Sequence, residues 1–301
     1  MSTPGLLIVA LPDGGRLPGL LAADLGCERS ELALHRFPDG ESLVRFDLPL
    51  QGRCVVLAGS LDHPDTKALP LLFAADAARE LGAARVGLVA PYLGYMRQDA
   101  RFRPGEAVTS RSFARLLSSS LDFLVTVDPH LHRWRSLSDI YSIRTSVVAA
   151  APLIARWLRR HVPEPVLVGP DAESEQWVAS VARLAGAPWA VMAKARRGDH
   201  DVSVALRGGG QWTGRIPVLL DDIASTGETL AAAARVLERM GLPRPVCVVV
   251  HALLTPQGQA KLLDAGVARM VSCDTIAHPT NAIEVAPLLA QAVRDVTAAT
   301  G

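Results

Sequence analysis

The feature that most constrains the fold is an alternation of short apolar runs with longer stretches of helical pattern. The runs lie at Leu6 to Leu11, Cys54 to Ala58, Val86 to Ala90, Phe123 to Val127, Val166 to Val168, Trp189 to Ala193, Val218 to Leu220, Val246 to Val250 and Met270 to Val271. Strands that alternate with helices make parallel sheets covered by helices. The expected class is therefore α/β, and a length of 301 residues favours two doubly wound parallel-sheet domains over one. The helix-prone stretch SVVAAAPLIARWLRRHVPEP marks the boundary near residue 146. The domains expected are 1–146 and 147–301, leaving open that the final helix packs on the first.

The segment VLLDDIASTGETL, Val218 to Leu230, carries the clearest chemistry. A short strand leads into two adjacent carboxylates, then a hydroxyl-rich turn, then the strong helix former TLAAAARVLERM. Backbone N–H groups at a helix start are unpaired and sit at the positive end of the helix dipole, which favours a phosphate. Ser225, Thr226 and Thr229 add hydroxyl donors, and Gly227 lets the main chain come close. Asp221 and Asp222 repel a phosphate, so they suit sugar hydroxyls or a divalent cation beside it. A phosphorylated sugar satisfies both halves, whereas helix capping explains each residue singly but not the ordered string.

Composition excludes several classes. The 31 basic and 30 acidic side chains give a net charge of +1, so bulk attraction to nucleic acid or an anionic membrane is not expected. No apolar stretch reaches 18 residues and no secretion signal is visible, so neither a span nor export is expected. Cys27, Cys54, Cys247 and Cys273 are widely spaced and read as reduced thiols of a cytoplasmic protein.

The string D-D-x-x-S-T-G-x-T resembles the phosphoribosyl diphosphate loop of phosphoribosyltransferases and of ribose-phosphate diphosphokinases (PRPP synthetases). Further motifs single out the second family. PYLGYMRQDARFRPGEAVTS, Pro91 to Ser110, leaves the carboxyl end of a strand, where open α/β sheets place ligands. Its arginines Arg97, Arg101 and Arg103 suit polyphosphate, and Gln98, Tyr92 and Tyr95 suit a purine. Its order P-Y-x-x-Y-x-R-Q-D closely resembles the synthetases' adenine-nucleotide loop. RFPDGES, Arg36 to Ser42, resembles their F-x-D-G-E segment. TVDPHLH, Thr126 to His132, resembles their D-x-H motif. VGPDAESEQWV matches their P-D motif at Pro170 and Asp171, and AKARRGDHDVSV their K-x-R segment. The closing CDTIAHPTNAIEVAPLLA resembles their T-I-x-H-P-T-N stretch, so the resemblance covers essentially the whole chain.

The resemblance implies two domains like those of type I phosphoribosyltransferases and transfer of a diphosphoryl group from ATP to ribose 5-phosphate, with Mg2+. It implies that Phe37, Asp39, Gly40 and Glu41, reaching across a subunit boundary, bind ATP with Arg97 and Gln98. It assigns ribose 5-phosphate to Asp221, Asp222, Ser225, Thr226, Gly227, Glu228 and Thr229, the metal to Asp128, His130 and Asp171, and catalysis to Lys194 and Arg196. His132 reads as structural, because no other His or Cys cluster completes a transition-metal site. A homo-oligomer of at least two chains is implied. The alternatives are a phosphoribosyltransferase, which would lack an ATP site, and a non-catalytic regulatory paralogue. Two departures stand out: Ala172, Glu173 and Ser174 replace the usual glycines after P-D, and Ser225 stands where many members have aspartate, as in archaeal-type enzymes.

Overall fold

The computed structural model describes residues 5–197, 201–207, 212 and 214–298, with the side chains of 193–211 outside the described set. The chain divides into two compact units, Met1–Val148 with Ala286–Gly301, and Ala149–Val285. The last helix belongs to the first unit, the option left open above, and the second unit begins at Ala149.

The first unit is built on β1 (Leu6–Ala10), α1 (Leu17–Leu25), β2 (Glu28–Glu31), β3 (Ala33–Arg36), β4 (Ser42–Arg45), β5 (Cys54–Ala58), α2 (Pro64–Glu80), β6 (Arg85–Ala90), α3 (Thr109–Ser120), β7 (Phe123–Val127) and β8 (Arg144–Val148). Its six-stranded sheet runs β2-β1-β5-β6-β7-β8 and is parallel throughout. The central strands are buried on both faces, which is why they read as unbroken apolar runs. Residues Leu7, Val9, Val55, Leu57, Val86 and Leu88 meet Leu71, Ala75 and Ala78 of α2 and Leu117 of α3 in one core. The last helix of the chain, α8 (Ala286–Ala298), packs on α1, β7 and β8. Its final carbonyls are held by two arginines, Arg85 to Thr297 O (3.2 Å) and Arg144 to Val296 O (3.1 Å), cations suited to a helix carboxyl end.

The second unit holds α4 (Ala151–His161), β9 (Pro165–Gly169), α5 (Glu175–Ala185), β10 (Trp189–Arg197), β11 (Asp201–Arg207), β12 (Ile216–Ala224), α6 (Glu228–Arg239), β13 (Val246–Ala252), α7 (Pro256–Asp264), β14 (Arg269–Cys273) and β15 (Asn281–Ile283). Its sheet order is β11-β10-β9-β12-β13-β14-β15, with β11 alone antiparallel. The chain winds one way from β9 to β10 and the other way from β12 onward. The strand order therefore reverses between β9 and β12, the switch point where such sheets bind ligands beyond their carboxyl ends. The sheet of the first unit reverses likewise between β1 and β5.

Three local readings change. Ser146 to Val148, read as the start of a helix, end β8, and the helix begins only at Ala151; Thr145, Val147 and Val148 are β-branched and pair with β7. β10 continues past Ala193 and pairs with β11, so Lys194 lies within a strand opposite Val204 rather than at a strand's end. Asp221 and Asp222 likewise lie inside β12, and the turn shrinks to Ser225, Thr226 and Gly227.

Gly87 shows how closely the first sheet is packed. It pairs with Phe123 across β6 and β7, and a Cβ there would meet the Phe123 ring at 2.1 Å. Phe123 is fully buried. Gly87→Ala should lower unfolding free energy in urea by about 1–3 kcal/mol, the usual cost of overpacking. Adding Phe123→Leu should restore part of it, because the two sites share one space. Additive losses in the double variant would mean that the contact is not what Gly87 protects.

Candidate active site

The second unit gathers its carboxylates at the switch point. β9 ends at Gly169 and is followed by Pro170 and Asp171; alongside it β12 carries Asp221 and Asp222. Asp221 is driven well above the usual carboxylate range, first by burial, then by the charges of Asp222 and Asp171. Its Oδ1 accepts the backbone N–H of Asp222 at 3.0 Å. Three acids this close repel one another, and an oxygen-ligated divalent cation or a set of sugar hydroxyls relieves the repulsion.

The turn beyond them fits a phosphate. Gly227 is the N-cap of α6, at φ 74°, and no side chain caps the helix. The first intrahelical bond is Ala231 N to Gly227 O (2.8 Å), so the N–H groups of Thr229 and Leu230 precede the ladder. Ser and Thr near helix starts commonly act as caps; here that explanation fails for Ser225, and Thr226 Oγ1 accepts only a long bond from Glu228 N (3.4 Å). A Cβ at Gly227 would come within 3.0 Å of Gly258 O, so both its φ and its surroundings call for glycine. The Glu228 side chain turns to Lys261 (2.9 Å), leaving its backbone N–H as what it offers the site.

The departures after P-D have a local explanation. Asp171 Oδ1 accepts the N–H groups of Glu173 (3.0 Å) and Ser174 (3.1 Å), and Ser174 Oγ donates to Asp171 O (2.7 Å). Ser174 packs over Gly169, where a Cβ would lie 2.2 Å from its hydroxyl. The serine thus closes the loop, using a neighbouring glycine as its seat.

In the first unit, the loop after β6 folds around Glu106. Its Oε2 accepts Phe102 N (2.9 Å), Arg103 N (3.0 Å) and Gln98 Nε2 (3.3 Å), and Arg101 Nε donates to Glu106 O (3.0 Å). Arg97 is exposed. Tyr92 and Tyr95, read as suited to a purine, serve the fold instead: Tyr92 is buried, and Tyr95 packs on Phe113 and bonds Asp65 through its hydroxyl. Asp99, 5% exposed, binds Arg133 at 2.8 Å. That bridge ties the Arg97–Gln98 loop to the segment carrying Asp128, His130 and His132. Asp128 and His130 have positive φ, 34° and 35°, backbone strain of the kind found at functional sites.

Phe37 to Glu41 form the tip of the β3–β4 hairpin and are all exposed. Phe37 N donates to Glu41 O (2.8 Å), and Gly40, at φ 94°, donates to Phe37 O (2.9 Å). Arg36 Nη2 anchors the hairpin to Thr66 O of α2 (2.7 Å). Lys194 and Arg196 stand two residues apart on β10; their side chains lie outside the described set. Glu106 and Asp99 escaped the sequence reading, although an acid among three arginines was a visible signal for an organising charge.

Comparison with known proteins fits this arrangement. The N-terminal domain model of ribose phosphate pyrophosphokinase matches residues 6–120, and a phosphoribosyl transferase domain model matches residues 136–289. The ribose-phosphate pyrophosphokinase of Methanopyrus kandleri is 33% identical over 97% of this chain and 100% of its own. The chain belongs to the ribose-phosphate pyrophosphokinase family. The pyrophosphokinase of Halobacterium salinarum is also 33% identical, over 92% of this chain and 96% of its own. The crystal structure of phosphoribosylpyrophosphate synthetase from Mycobacterium smegmatis superposes with a TM-score of 0.85 at 25% identity, covering 98% of this chain and 99% of that one. Like these relatives the chain is an enzyme with two α/β domains. No described helix is long and apolar enough to cross a membrane.

The raised Asp221 makes a pH prediction for this pyrophosphokinase. A carboxyl whose folded pKa lies above its unfolded value adds stability in acid that is lost as pH rises through the folded value. The ligand-free protein should therefore lose thermal stability as pH climbs above the ordinary carboxylate range. Asp221→Asn should flatten that decline and reduce the stabilisation that added Mg2+ gives. Scanning calorimetry at a series of pH values checks both, and equal slopes for parent and variant would remove Asp221 as the cause.

Proposed function

We propose that the protein makes 5-phosphoribosyl 1-diphosphate and AMP from ATP and ribose 5-phosphate, acting in the cytoplasm. The observation that carries this reading is the pairing, at one switch point, of the carboxylates Asp171, Asp221 and Asp222 with an uncapped α6 start behind Ser225–Thr226–Gly227. In this family it suits a sugar phosphate: N–H groups and hydroxyls for the 5-phosphate, carboxylates for the ribose hydroxyls. The four free cysteines agree with a reducing compartment.

In the proposed reaction the O1 hydroxyl of ribose 5-phosphate attacks the β-phosphorus of ATP in line. The O1–Pβ bond forms, the bond from Pβ to the bridging oxygen breaks, that oxygen leaves with AMP, and the hydroxyl proton passes to solvent. The protein's work is to position two anions and neutralise charge on the transferred group. Arg97, Gln98 and the exposed tip Phe37, Asp39, Gly40 and Glu41 hold ATP. Ser225 to Thr229 hold the 5-phosphate. Asp171 would serve the cation beside the ribose, and Asp128 and His130 the Mg2+ beside the ATP phosphates; the oxygen-rich donor set around Asp221 fits such an ion. When bound, Mg2+ offsets the charge of the polyphosphate. Lys194 and Arg196, at alternate positions of β10, supply cations to the diphosphoryl group.

Incubation with ATP, ribose 5-phosphate and Mg2+ should yield AMP and the diphosphate ester in equal amounts. A phosphoribosyltransferase or a non-catalytic paralogue yields neither, so absence of AMP under every phosphate and metal condition rejects the reading. Lys194→Ala should lower kcat by about 10²-fold or more, the usual cost of losing a preorganised charge at a transition state, with little change in melting temperature or ATP affinity. A kcat close to the parent's would free Lys194 of that role.

The exposed hairpin tip also supports association. Phe37 is 40% exposed and Leu43 47% exposed on the same hairpin, with Leu69 and Phe73 exposed on α2, a surface that a second copy covers. The active protein should sediment as at least a dimer. Leu69→Glu with Phe73→Glu should dissociate it and cut activity together. A fully active monomer would exclude any role for the tip across a subunit boundary.

A further inference from the structure

The segment after β7 sets two imidazoles against each other. His132 Nε2 lies 3.2 Å from His130 Nδ1, and the rings stand nearly perpendicular with centroids 4.0 Å apart. In an extended strand residues two apart are separated by about 6.6 Å along the chain, so the backbone must fold to bring these nitrogens together. It does so through the positive φ values of Asp128 and His130, with His130 N donating to Asp128 O at 2.9 Å. Left-handed conformations are unfavourable for non-glycine residues, and here they occur where one ring is turned toward its neighbour.

The separation matches the bite of a chelate. Two nitrogens held at about 2.0–2.1 Å from one tetrahedral ion stand about 3.3 Å apart. Imidazole selects Zn2+, Ni2+ or Cu2+, whereas Mg2+ takes oxygen and keeps much of its water. We propose that His130 and His132 form a chelating site for a transition-metal ion of the Zn2+ class, and that its occupancy withdraws His130 from nucleotide binding. The ion takes the lone pair of His130 Nδ1 and of His132 Nε2, leaving the ring protons on His130 Nε2 and His132 Nδ1. His132 is exposed and His130 half-buried, so the ion arrives from solvent. This assignment gives His132 a task that its spacing alone did not secure.

Zn2+ and Co2+ are titrated into the full-length, substrate-free protein by calorimetry and visible absorption, for the parent, His132→Ala and His132→Asn. The parent should bind, with the Co2+ spectrum lacking the near-ultraviolet thiolate band that ligation by Cys27 or Cys54 would give. Both variants should bind at least about tenfold more weakly, a loss that even outer-shell changes cause at such sites. Equal affinities in parent and variants, or no binding by the parent, overturn the site and leave the pair a plain N–H···N hydrogen bond. The second arm rests on the ribose-phosphate reading: Zn2+ should inhibit Mg2+-dependent AMP formation by the parent and spare both variants, whose Mg2+-dependent rates match the parent's. Zn2+ bound through His132 without inhibition overturns the regulatory role while leaving the site. The binding arm uses no substrate, so its outcome is independent of whether AMP is ever formed.

Discussion

Like-charge crowding at the end of β12 is the constraint on which the second unit is organised. Asp221 is half-buried beside Asp222 and within the field of Asp171, an arrangement that does not serve stability. Apolar residues of similar size would be more comfortable there. The parallel sheet makes the arrangement tolerable by stopping β9 at Gly169 while β12 runs on past Asp221 and Asp222 to a short turn, so that counter-charge can come from a ligand. The uncapped start of α6 is the complementary half, backbone donors that precede the helical ladder beside a group of carboxylates. Each half is unfavourable alone, and a molecule bearing both hydroxyls and phosphate answers both.

The first unit meets a different demand. The loop after β6 carries Arg97, Arg101 and Arg103 on a stretch rich in turns, and Glu106 restrains it by accepting from Gln98, Phe102 and Arg103. The Asp99–Arg133 bridge then fixes this loop to the histidine segment. A buried carboxylate held by one half-exposed arginine is costly to break, so the bridge couples the two segments.

The sequence makes the strands that are buried on both faces easy to see, because β1, β5, β6 and β7 are unbroken apolar runs. It hides β2, whose residues Glu28 to Glu31 are polar and mostly exposed at a sheet edge, and β11, which exists only by pairing with β10. It also misplaces the start of α4, since Ser146 to Val148 satisfy a helical pattern until tertiary pairing with β7 claims them. The acids and hydroxyls around the start of α6 stood out in the sequence because their order is chemically odd, and the structure brings them to one end of the sheet. The roles of Glu106, Asp99 and Ser174 were not, because each acts through a hydrogen bond to a partner that only the folded loop brings near. The closeness of His130 and His132 was likewise out of sight, because spacing does not reveal the turn at Asp128.

The return of α8 to the first unit has a consequence for biogenesis. The helix is synthesised after the whole of the second unit, yet its Leu289, Val293 and Val296 are core residues of the first. Residues 149–285 can therefore fold as soon as they leave the ribosome, while the earlier segment waits with one face of its sheet uncovered. The part translated first is the part completed last. During that interval the apolar side chains that α8 later covers are open to chaperones and to premature association with a second nascent copy.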